Sequence, residues 1–424
     1  MYNFEALTNE DRNIMLNKIG VKSIDDLFCQ IPDNARMNES EIKRLKDGLD
    51  EISAQKLLSE LSKKNKTDYV YFMGGGAKKR YVPSVINDVA SRFEFLSCYT
   101  PYQAEISQGS LEIMYEFQSM MCTLTGQDVS NASVYDGASA AAEAILMASR
   151  ITKKRKVFVN QNINENYLEV IKTYLWANGI ELIIGEDSCD TELCAKVYQT
   201  PNKFGEFQDI PSKCAKELII SIVDLMSLVL AEPPKSDITV GDVQSFGIGL
   251  NFGGAYAGFI ACRDEYKRQL PGRISGKTVD KNGRTAYCLT LQAREQHIRR
   301  EKATSNICSN QALVAFCANL YLRYLGKTKL TKIAQKSYNN AHLLAKKLSE
   351  NGFEVLNKDF FDEFTVEVGS SEKFLEFMKD KNILAGTKID NSRVLVSVTE
   401  LNDEAEIDKY INASKNLSLT KIAL

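Results

Sequence analysis

The chain has 424 residues, with 53 lysines and arginines against 55 aspartates and glutamates, a formal charge of -2, ten cysteines and only two histidines. A net charge this close to zero offers no basic surface for DNA or RNA, so nucleic-acid binding is excluded as a main function. His297 and His342 alone cannot form a multi-histidine metal site, and we predict no bound metal. At about 150 residues per domain, the length predicts two or three domains.

The chain start lacks the basic and apolar regions of a signal peptide. The most apolar stretch, residues 218–230, is shorter than the ~20 residues of a membrane span. We therefore expect a cytoplasmic protein with no membrane partner. The cysteines form no C-x-x-C pair and lie in no secreted context, which predicts reduced thiols.

Residues 1–65 predict a helical N-terminal arm. Thr8 and Asp11 have the spacing of a capping box, and the apolar positions that follow end at Gly20. A second helical stretch is predicted from about Glu39 to Lys64. Solvent-exposed helices with one apolar stripe are the simpler interpretation of both segments.

Residues 66–328 alternate between short β-rich runs and helical patterns, which predicts a large domain with a mostly parallel sheet and crossover helices. Strands are predicted at 156–160, 180–185, 217–224, 237–242 and 256–262, and helices at 138–150 and 166–179.

Residues 329–424 predict a small C-terminal α/β lobe, with a long helix over 330–352 and a closing helix from Glu404. A helical arm, a large doubly wound domain and a small lobe together resemble the layout of the aminotransferase-like, fold-type-I proteins that use pyridoxal phosphate (PLP). Layout alone supports only an analogy.

The turn before the 138–150 helix places Asp136, Gly137 and Ser139 at a helix N-terminus. Free N–H groups and the helix dipole favour a phosphate or carboxylate there, and small residues let a ligand approach the backbone. A plain N-cap by Asp136 or Ser139 explains the same residues equally well. Both interpretations stay open.

PLP chemistry needs a lysine for the Schiff base and an acid beside the pyridine nitrogen. Asp224 ends a predicted strand where that acid usually lies in this fold. The lysine is expected about twenty residues later, where the chain has Gln244, and Lys235 and Lys267 are badly placed for the role. The sequence thus predicts a PLP-enzyme frame with no catalytic lysine in this chain.

Two glycine-rich segments match nucleotide-binding motifs only in part. In PGRISGKT (271–278), Pro271 replaces the first glycine of a P-loop and no apolar strand precedes the segment. In residues 246–258, Phe252 stands where a dinucleotide fingerprint needs its third glycine. ATP and NAD sites are therefore disfavoured.

Residues 288–316 are dense in polar side chains. Arg299, Arg300 and Glu301 suit a solvated, salt-bridged helix start, and Thr304 is available to cap the apolar helix that follows. In fold-type-I dimers, however, a segment at this position crosses to the neighbouring active site, where a threonine helps to hold the phosphate.

Long blocks of the chain closely resemble the glycine cleavage system P-protein family, over nearly the whole length. They are MGGGAKKRYVPSV (73–85), YTPYQAEISQG (99–109), NASVYDGASAAAEA (131–144), PNKFG (201–205), VGDVQSFGIGLNFGG (240–254) and REQHIRREKATSNIC (294–308). Within the family, the chain is similar to the N-terminal half, which bacteria with a split enzyme make as a separate subunit 1.

The resemblance implies an oxidoreductase of glycine catabolism that is inactive without subunit 2. In this family the two subunits form a heterodimer, usually paired again as a heterotetramer, and PLP is held covalently by a lysine of subunit 2. Glycine is decarboxylated through a PLP aldimine, and the aminomethyl group passes to the lipoyl arm of the H protein. Gln244 in the lysine position agrees with this implication.

The resemblance also implies three groups of site residues. These are Tyr99, Thr100, Tyr102, Gln103 and Glu105 on the active-site side of the subunit interface, Thr304 and Ser305 reaching the PLP of the partner, and Asp136, Gly137, Ser139 and Asp224 in a vestigial pocket. Arg80, Asn162 and Ala255 depart from the family pattern, so we assign them no direct chemistry.

Two further functions stay open on the residues alone. A self-sufficient PLP enzyme of the aminotransferase or desulfurase type would use an unexpected lysine, such as Lys277 or Lys302. A P-loop NTPase is the weaker alternative, because of Pro271.

Overall fold

The computed structural model describes residues 6–45 and 48–420, and the chain divides into two compact units, Met1–Thr67 and Asp68–Leu424. In the first unit, helix α1 (Asn9–Ile19) begins with the predicted capping box. The Thr8 hydroxyl accepts the N–H of Asp11 at 3.2 Å, and the Asp11 carboxylate accepts the N–H of Thr8 at 2.8 Å. The helix ends at Gly20 in the left-handed conformation, as predicted.

The prediction of one helical stretch from Glu39 to Lys64 is wrong. The structure has a short helix α2 (Glu39–Ile42) and a separate helix α3 (Glu51–Ser62). Asp50 interrupts the helical stretch, because its extended backbone starts α3 while its carboxylate accepts the N–H of Ser53 at 2.9 Å.

The second unit contains a seven-stranded sheet in the order β2-β8-β7-β6-β5-β3-β4, a four-stranded antiparallel sheet in the order β11-β12-β15-β14, and two small ladders. Its strands are β1 (Val70–Tyr71), β2 (Val129–Ser130), β3 (Lys156–Asn160), β4 (Glu181–Gly185), β5 (Ala195–Thr200), β6 (Leu218–Asp224), β7 (Ile238–Asp242), β8 (Gly258–Cys262), β9 (Ile274–Val279), β10 (Thr285–Thr290), β11 (Glu354–Val355), β12 (Glu363–Glu367), β13 (Ile383–Leu384), β14 (Thr387–Lys388) and β15 (Arg393–Ser397).

The five strands predicted from the sequence are confirmed as β3, β4, β6, β7 and β8. Strands β3 to β7 are parallel, and β8 and β2 close one edge antiparallel. Strand β5 was not predicted from the sequence, because the buried Lys196 interrupts its apolar pattern.

Helices cover both faces of the large sheet. Successive residues of β8 point into different cores. Ile260 packs with α7 and α8, whereas Phe259 and Ala261 pack with α6 and α10. The helices of this unit are α4 (Ser84–Ala90), α5 (Phe93–Leu96), α6 (Gln108–Thr125), α7 (Gly137–Thr152), α8 (Glu165–Asn178), α9 (Gln296–Arg299), α10 (Ala312–Glu350), α11 (Ser371–Asp380) and α12 (Glu404–Thr420). The doubly wound arrangement predicted from the sequence is therefore confirmed.

The predicted long helix over 330–352 is the second half of α10, which bends at Gly326 (φ 60°). Its buried side chains Ala341, Leu344 and Leu348 form a separate core with the four-stranded sheet, α11 and α12, which we call the small lobe. The boundary at residue 328 stays a prediction.

The expectation of reduced thiols is wrong for one pair. Cys189 and Cys214 form a disulfide with an S–S distance of 2.14 Å, whereas the other eight cysteines are free. The two residues are 25 positions apart, in the loops before and after β5, so their spacing gave no signal. Among the described residues, no helix is long and apolar enough to cross a membrane.

Candidate functional site

Strands β6 and β7 end side by side at the carboxyl edge of the large sheet, and each ends in an aspartate. Asp224 and Asp242 are Cα partners in this parallel pair. Ligands of open α/β sheets bind in the crevice outside the carboxyl ends of the strands. A cavity of about 60 Å³ lies there, lined by both aspartates together with Lys78, Gln244 and Glu363.

Lys78 is the cation of this site, and the sequence analysis did not single it out. Its Nζ lies 2.6 Å from a carboxylate oxygen of Asp224, 2.6 Å from Asp362 and 3.3 Å from Glu363. Burial lowers the pKa of Lys78, but the three carboxylates outweigh it and hold the pKa above its ordinary value. Lys78 therefore stays protonated, which leaves no lone pair for a Schiff base.

Arg80 extends the same network into the small lobe. Its guanidinium donates to Asp362, to Glu400 at 2.7 Å and to the hydroxyl of Ser337 at 3.1 Å. Burial raises the pKa of Asp362 to about 6 against the attraction of Lys78 and Arg80, so the carboxyl is ionised at neutral pH. The contacts give Arg80 a structural role. We call Lys78, Arg80, Asp224, Asp362, Glu363 and Glu400 the ion cluster.

Gln244, in the position where a PLP enzyme carries its lysine, is hydrogen-bonded to the ion cluster's backbone. Its Oε1 accepts the N–H of Lys78 at 2.9 Å, and its Nε2 donates to the carbonyls of Lys78 and Ile248, both at 2.9 Å. The side chain is 2 % exposed. Gln244 therefore fixes the segment that carries Lys78.

The start of α7 has two of its N–H donors, those of Gly137 and Ser139, occupied within the chain. Asp136 caps the helix by accepting the N–H of Ser139 at 2.7 Å, which is the second of the two interpretations that the sequence left open. The N–H of Gly137 donates to Asp242 at 3.0 Å, and a Cβ at Gly137 would lie 2.0 Å from the hydroxyl of Tyr167. Burial raises the pKa of Asp242 to about 7, although the N–H groups of Gln244 and Gly137 lower it.

Because of these contacts, PLP does not fit into this chain's own pocket. A phosphate at Gly137 would meet the Asp242 carboxyl and the Tyr167 hydroxyl, and the Asp224 carboxylate is already neutralised by Lys78. The cavity of about 60 Å³ has room for a few water molecules, at about 10–15 Å³ each. The structure thus brings together the predicted vestigial-pocket residues, Asp136, Gly137, Ser139 and Asp224, but engages them with one another and with Lys78 and Asp242.

The predicted interface block lies on the surface, outside this pocket. The Tyr99 hydroxyl is 2.6 Å from the hydroxyl of Ser309, and the Tyr102 ring is centred 5.2 Å from the ring of His297. The side chains of Tyr99, Tyr102, Gln103 and Glu105 are exposed and Thr100 is partly buried. The block therefore presents aromatic and polar groups at the surface of the chain.

Thr304 and Ser305 lie in a half-buried segment between α9 and α10. The N–H of Thr304 donates to the carbonyl of Arg294 at 3.0 Å, and the Ser305 hydroxyl accepts the N–H of Ile307 at 3.0 Å. Their assignment to a phosphate stays a prediction.

Lys78 and its acidic partners were missed because the residues that meet are far apart in the chain. Asp224 is 146 positions from Lys78 and Asp362 is 284. Lys277 and Lys302, the lysines considered for a self-sufficient enzyme, are exposed and do not line the cavity. A useful signal would have been the lysine and arginine of KKR directly after a glycine run, since such a run lets the backbone approach the site closely.

The doubly wound fold and the cavity at the carboxyl edge of its sheet place the chain among the fold-type-I α/β proteins. A solved sphingosine-1-phosphate lyase of Burkholderia pseudomallei, 10% identical, superposes with a TM-score of 0.65 over 91% of this chain and 93% of its own. At this identity the likeness concerns the fold alone.

The family model for the glycine cleavage system P-protein matches residues 4–413, and the chain belongs to that family. A relative from Thermotoga maritima, named probable glycine dehydrogenase (decarboxylating) subunit 1, is 42% identical over 98% of this chain and 100% of its own length. A protein of the same name from Carboxydothermus hydrogenoformans is 40% identical over 95% and 97%. A crystal structure of glycine decarboxylase (P-protein) in inhibitor-bound form is 34% identical and superposes with a TM-score of 0.86 over 98% of this chain and 100% of that one.

Replacing Lys78 by Met leaves Asp224 and Asp362 ionised, buried and without their shared cation. We expect Lys78→Met to lower the free energy of unfolding by about 3–5 kcal/mol in urea titrations of the free chain. Lys267→Met removes an exposed ion pair with Asp264 and should cost about 1 kcal/mol or less. A loss of less than about 1 kcal/mol for Lys78→Met would contradict the role of the ion cluster.

Asp242 should make the free chain less stable as the pH rises. Its pKa is about 7 in the folded state, above the ordinary value near 4, so between these values the folded chain binds more protons than the unfolded chain. The free energy of unfolding should therefore fall by about 2–3 kcal/mol from pH 5 to pH 8 through this group. Asp242→Asn should remove that part of the decrease, whereas the exposed Asp264→Asn should retain it; equal pH profiles for the two variants would refute the assignment.

Proposed function

We propose that this chain is subunit 1 of the glycine decarboxylase of the glycine cleavage system, and that it works as a complex with a second subunit. The supporting observation is the combination of full-length family membership with a pocket in which Gln244 stands in the lysine position and Lys78 neutralises Asp224. A chain with this pocket requires a partner that carries the PLP lysine.

The partner is proposed to bind at the exposed block around Tyr99 and Tyr102. These aromatic side chains are 73 % and 52 % exposed, which is typical of anchor residues at protein interfaces. Gln103 and Glu105 add polar groups beside them. Through this surface the chain would complete the active site of subunit 2, and heterodimers would pair again as heterotetramers.

In the completed site, PLP bound to subunit 2 supplies the electron sink for the loss of CO₂ from glycine. The aminomethyl group then passes to the lipoyl arm of the H protein. Thr304 and Ser305 of this chain are proposed to contribute a hydroxyl and backbone N–H groups to the phosphate. Tyr102 would exclude water from the reacting groups.

A self-sufficient PLP enzyme is the second candidate, and the pocket argues against it. Lys78 lines the cavity, but three carboxylates keep it protonated. Lys277 and Lys302 are exposed on other parts of the surface. Among the lysines that the structure describes, none at the carboxyl edge of the sheet therefore suits a covalent PLP adduct.

Reconstitution tests the proposal directly. The free chain mixed with PLP should show no aldimine absorption and no borohydride-fixed adduct, and no glycine-dependent release of CO₂. Addition of the lysine-bearing second subunit and lipoylated H protein should restore all three, with the adduct on the second subunit. A borohydride-stable PLP adduct on a lysine of the free chain, found by peptide mass mapping, would establish the self-sufficient enzyme instead.

Thr304→Ala should weaken PLP retention in the reconstituted pair. Loss of one hydrogen bond to a charged group costs about 1.5–3 kcal/mol, which corresponds to a roughly tenfold to hundredfold weaker retention. Dialysis followed by absorption spectroscopy measures the retained PLP, and Thr331→Ala in α10, where the threonine is half-buried as at position 304, is the matched control. Unchanged retention would assign Thr304 to structure alone.

A further inference from the structure

Arg273 is a buried cation with no acidic partner within the described residues. It lies next to the start of β9 and is 3 % exposed. Its Nη1 donates to the Asn310 side-chain oxygen at 3.2 Å, its Nε has no hydrogen-bond partner, and no described carboxylate lies within 4.0 Å of the guanidinium. A neutral amide is thus its single side-chain hydrogen-bond acceptor in the described part of the chain.

Two other arginines, the buried Arg80 and the partly buried Arg294, have more acceptors than Arg273, although the Nε of each also lacks a partner. Arg80 contacts two carboxylates, those of Asp362 and Glu400. Arg294 donates to the backbone carbonyls of Leu270 and Gly272. Because a buried charge without a counter-charge costs free energy, the unpaired guanidinium of Arg273 indicates an anion that is supplied from elsewhere.

The surroundings of Arg273 open toward the predicted interface block. The ring of Tyr102 lies over the guanidinium at 5.7 Å and stays half exposed on its other side. The hydroxyl of Thr100, two residues away in the same block, is buried and also without a hydrogen-bond partner. The Nε of Arg273 and the hydroxyl of Thr100 therefore lie without hydrogen-bond partners beside the exposed ring of Tyr102. The cation–π attraction of that ring compensates the charge of Arg273 only in part.

We propose that Arg273 binds a carboxylate that enters from outside this chain when the enzyme assembles. The planar guanidinium matches a carboxylate in a two-point hydrogen-bonded pair, and Tyr102 moves aside or closes over that pair. The carboxylate comes either from glycine, the substrate under the proposed function, or from an acidic side chain of the second subunit. The inference rests on the proposed function for its assay, but the unpaired charge belongs to this chain alone.

The segment PGRISGKT, which contains Arg273, was compared with a P-loop in the sequence analysis and set aside. The structure gives the segment a different use, because Asn131 holds the carbonyl of Pro271 and the N–H of Ala132 donates to the carbonyl of Arg273 at 2.8 Å. Asn310 in turn donates to the carbonyl of Ala132 at 3.1 Å. These contacts hold Arg273 in place before any ligand arrives.

The free chain provides the first test, without any partner. If the guanidinium is unpaired, Arg273→Gln should leave the unfolding temperature of the free chain unchanged or raise it. The control is Arg284→Gln, at the exposed turn of the same β9–β10 hairpin. A fall of several degrees for Arg273→Gln alone would overturn the proposal, since it would show that the chain already satisfies the charge internally.

The reconstituted enzyme identifies the source of the carboxylate. With subunit 2 saturating, a rise of tenfold or more in KM for glycine in Arg273→Gln, partly rescued by Arg273→Lys, assigns the substrate carboxylate. A tenfold weaker dissociation constant between the subunits with an unchanged KM assigns an acidic side chain of the partner. Values for both that match Arg284→Gln within twofold, or a loss of PLP retention alone, would overturn the proposal.

These measurements also separate the inference from the proposed function. If the wild-type pair released no CO₂ from glycine, the proposed function would fail. The unfolding temperature of the free chain and the subunit dissociation constant would still decide whether Arg273 is a carboxylate-binding residue.

Discussion

The ammonium group of Lys78, placed among three carboxylates, is the interaction on which the second unit of the chain depends. Lys78 connects the carboxyl edge of the large sheet, through Asp224, with the small lobe, through Asp362 and Glu363. Arg80, two residues further along the chain, pairs with Asp362 and Glu400 of the small lobe. Charges this deeply buried stabilise a structure only when every partner is present, so the ion cluster fixes one arrangement of the sheet and the lobe.

The ion cluster also explains why the carboxyl edge of the sheet differs in its chemistry from that of a PLP enzyme with the same fold. The fold still brings two aspartates and a helix N-terminus to one edge of the sheet, where these groups are engaged within the chain. Asp224 pairs with Lys78, the N–H of Gly137 donates to Asp242, and Gln244 binds the backbone of Lys78. The Nε of Arg273 and the hydroxyl of Thr100 are among the buried side-chain atoms without a hydrogen-bond partner, and both lie beside the exposed block.

The sequence predicted much of the fold and less of the site. Apolar runs at β6, β7 and β8 were sufficient to place the central strands, and Asp224 was correctly placed at the end of a strand. Local patterns failed where distant residues decide the structure. A lysine after three glycines looks exposed, and only its partners, 146 and 284 positions away, bury it. The disulfide and the burial of Lys196 in β5 were not predicted for the same physical reason, because spacing along the chain does not report proximity across a sheet.

The reciprocal hydrogen bonds between Gln244 and Lys78 have a consequence for how such a chain evolves. A lysine at position 244 alone would place a second ammonium beside the first and break the backbone bonds that hold it. Loss of Lys78 alone would leave Asp224 without its cation and Asp362 with Arg80 alone. Positions 78 and 244 are therefore energetically coupled, and a substitution at either one is expected to be tolerated better when the other changes with it.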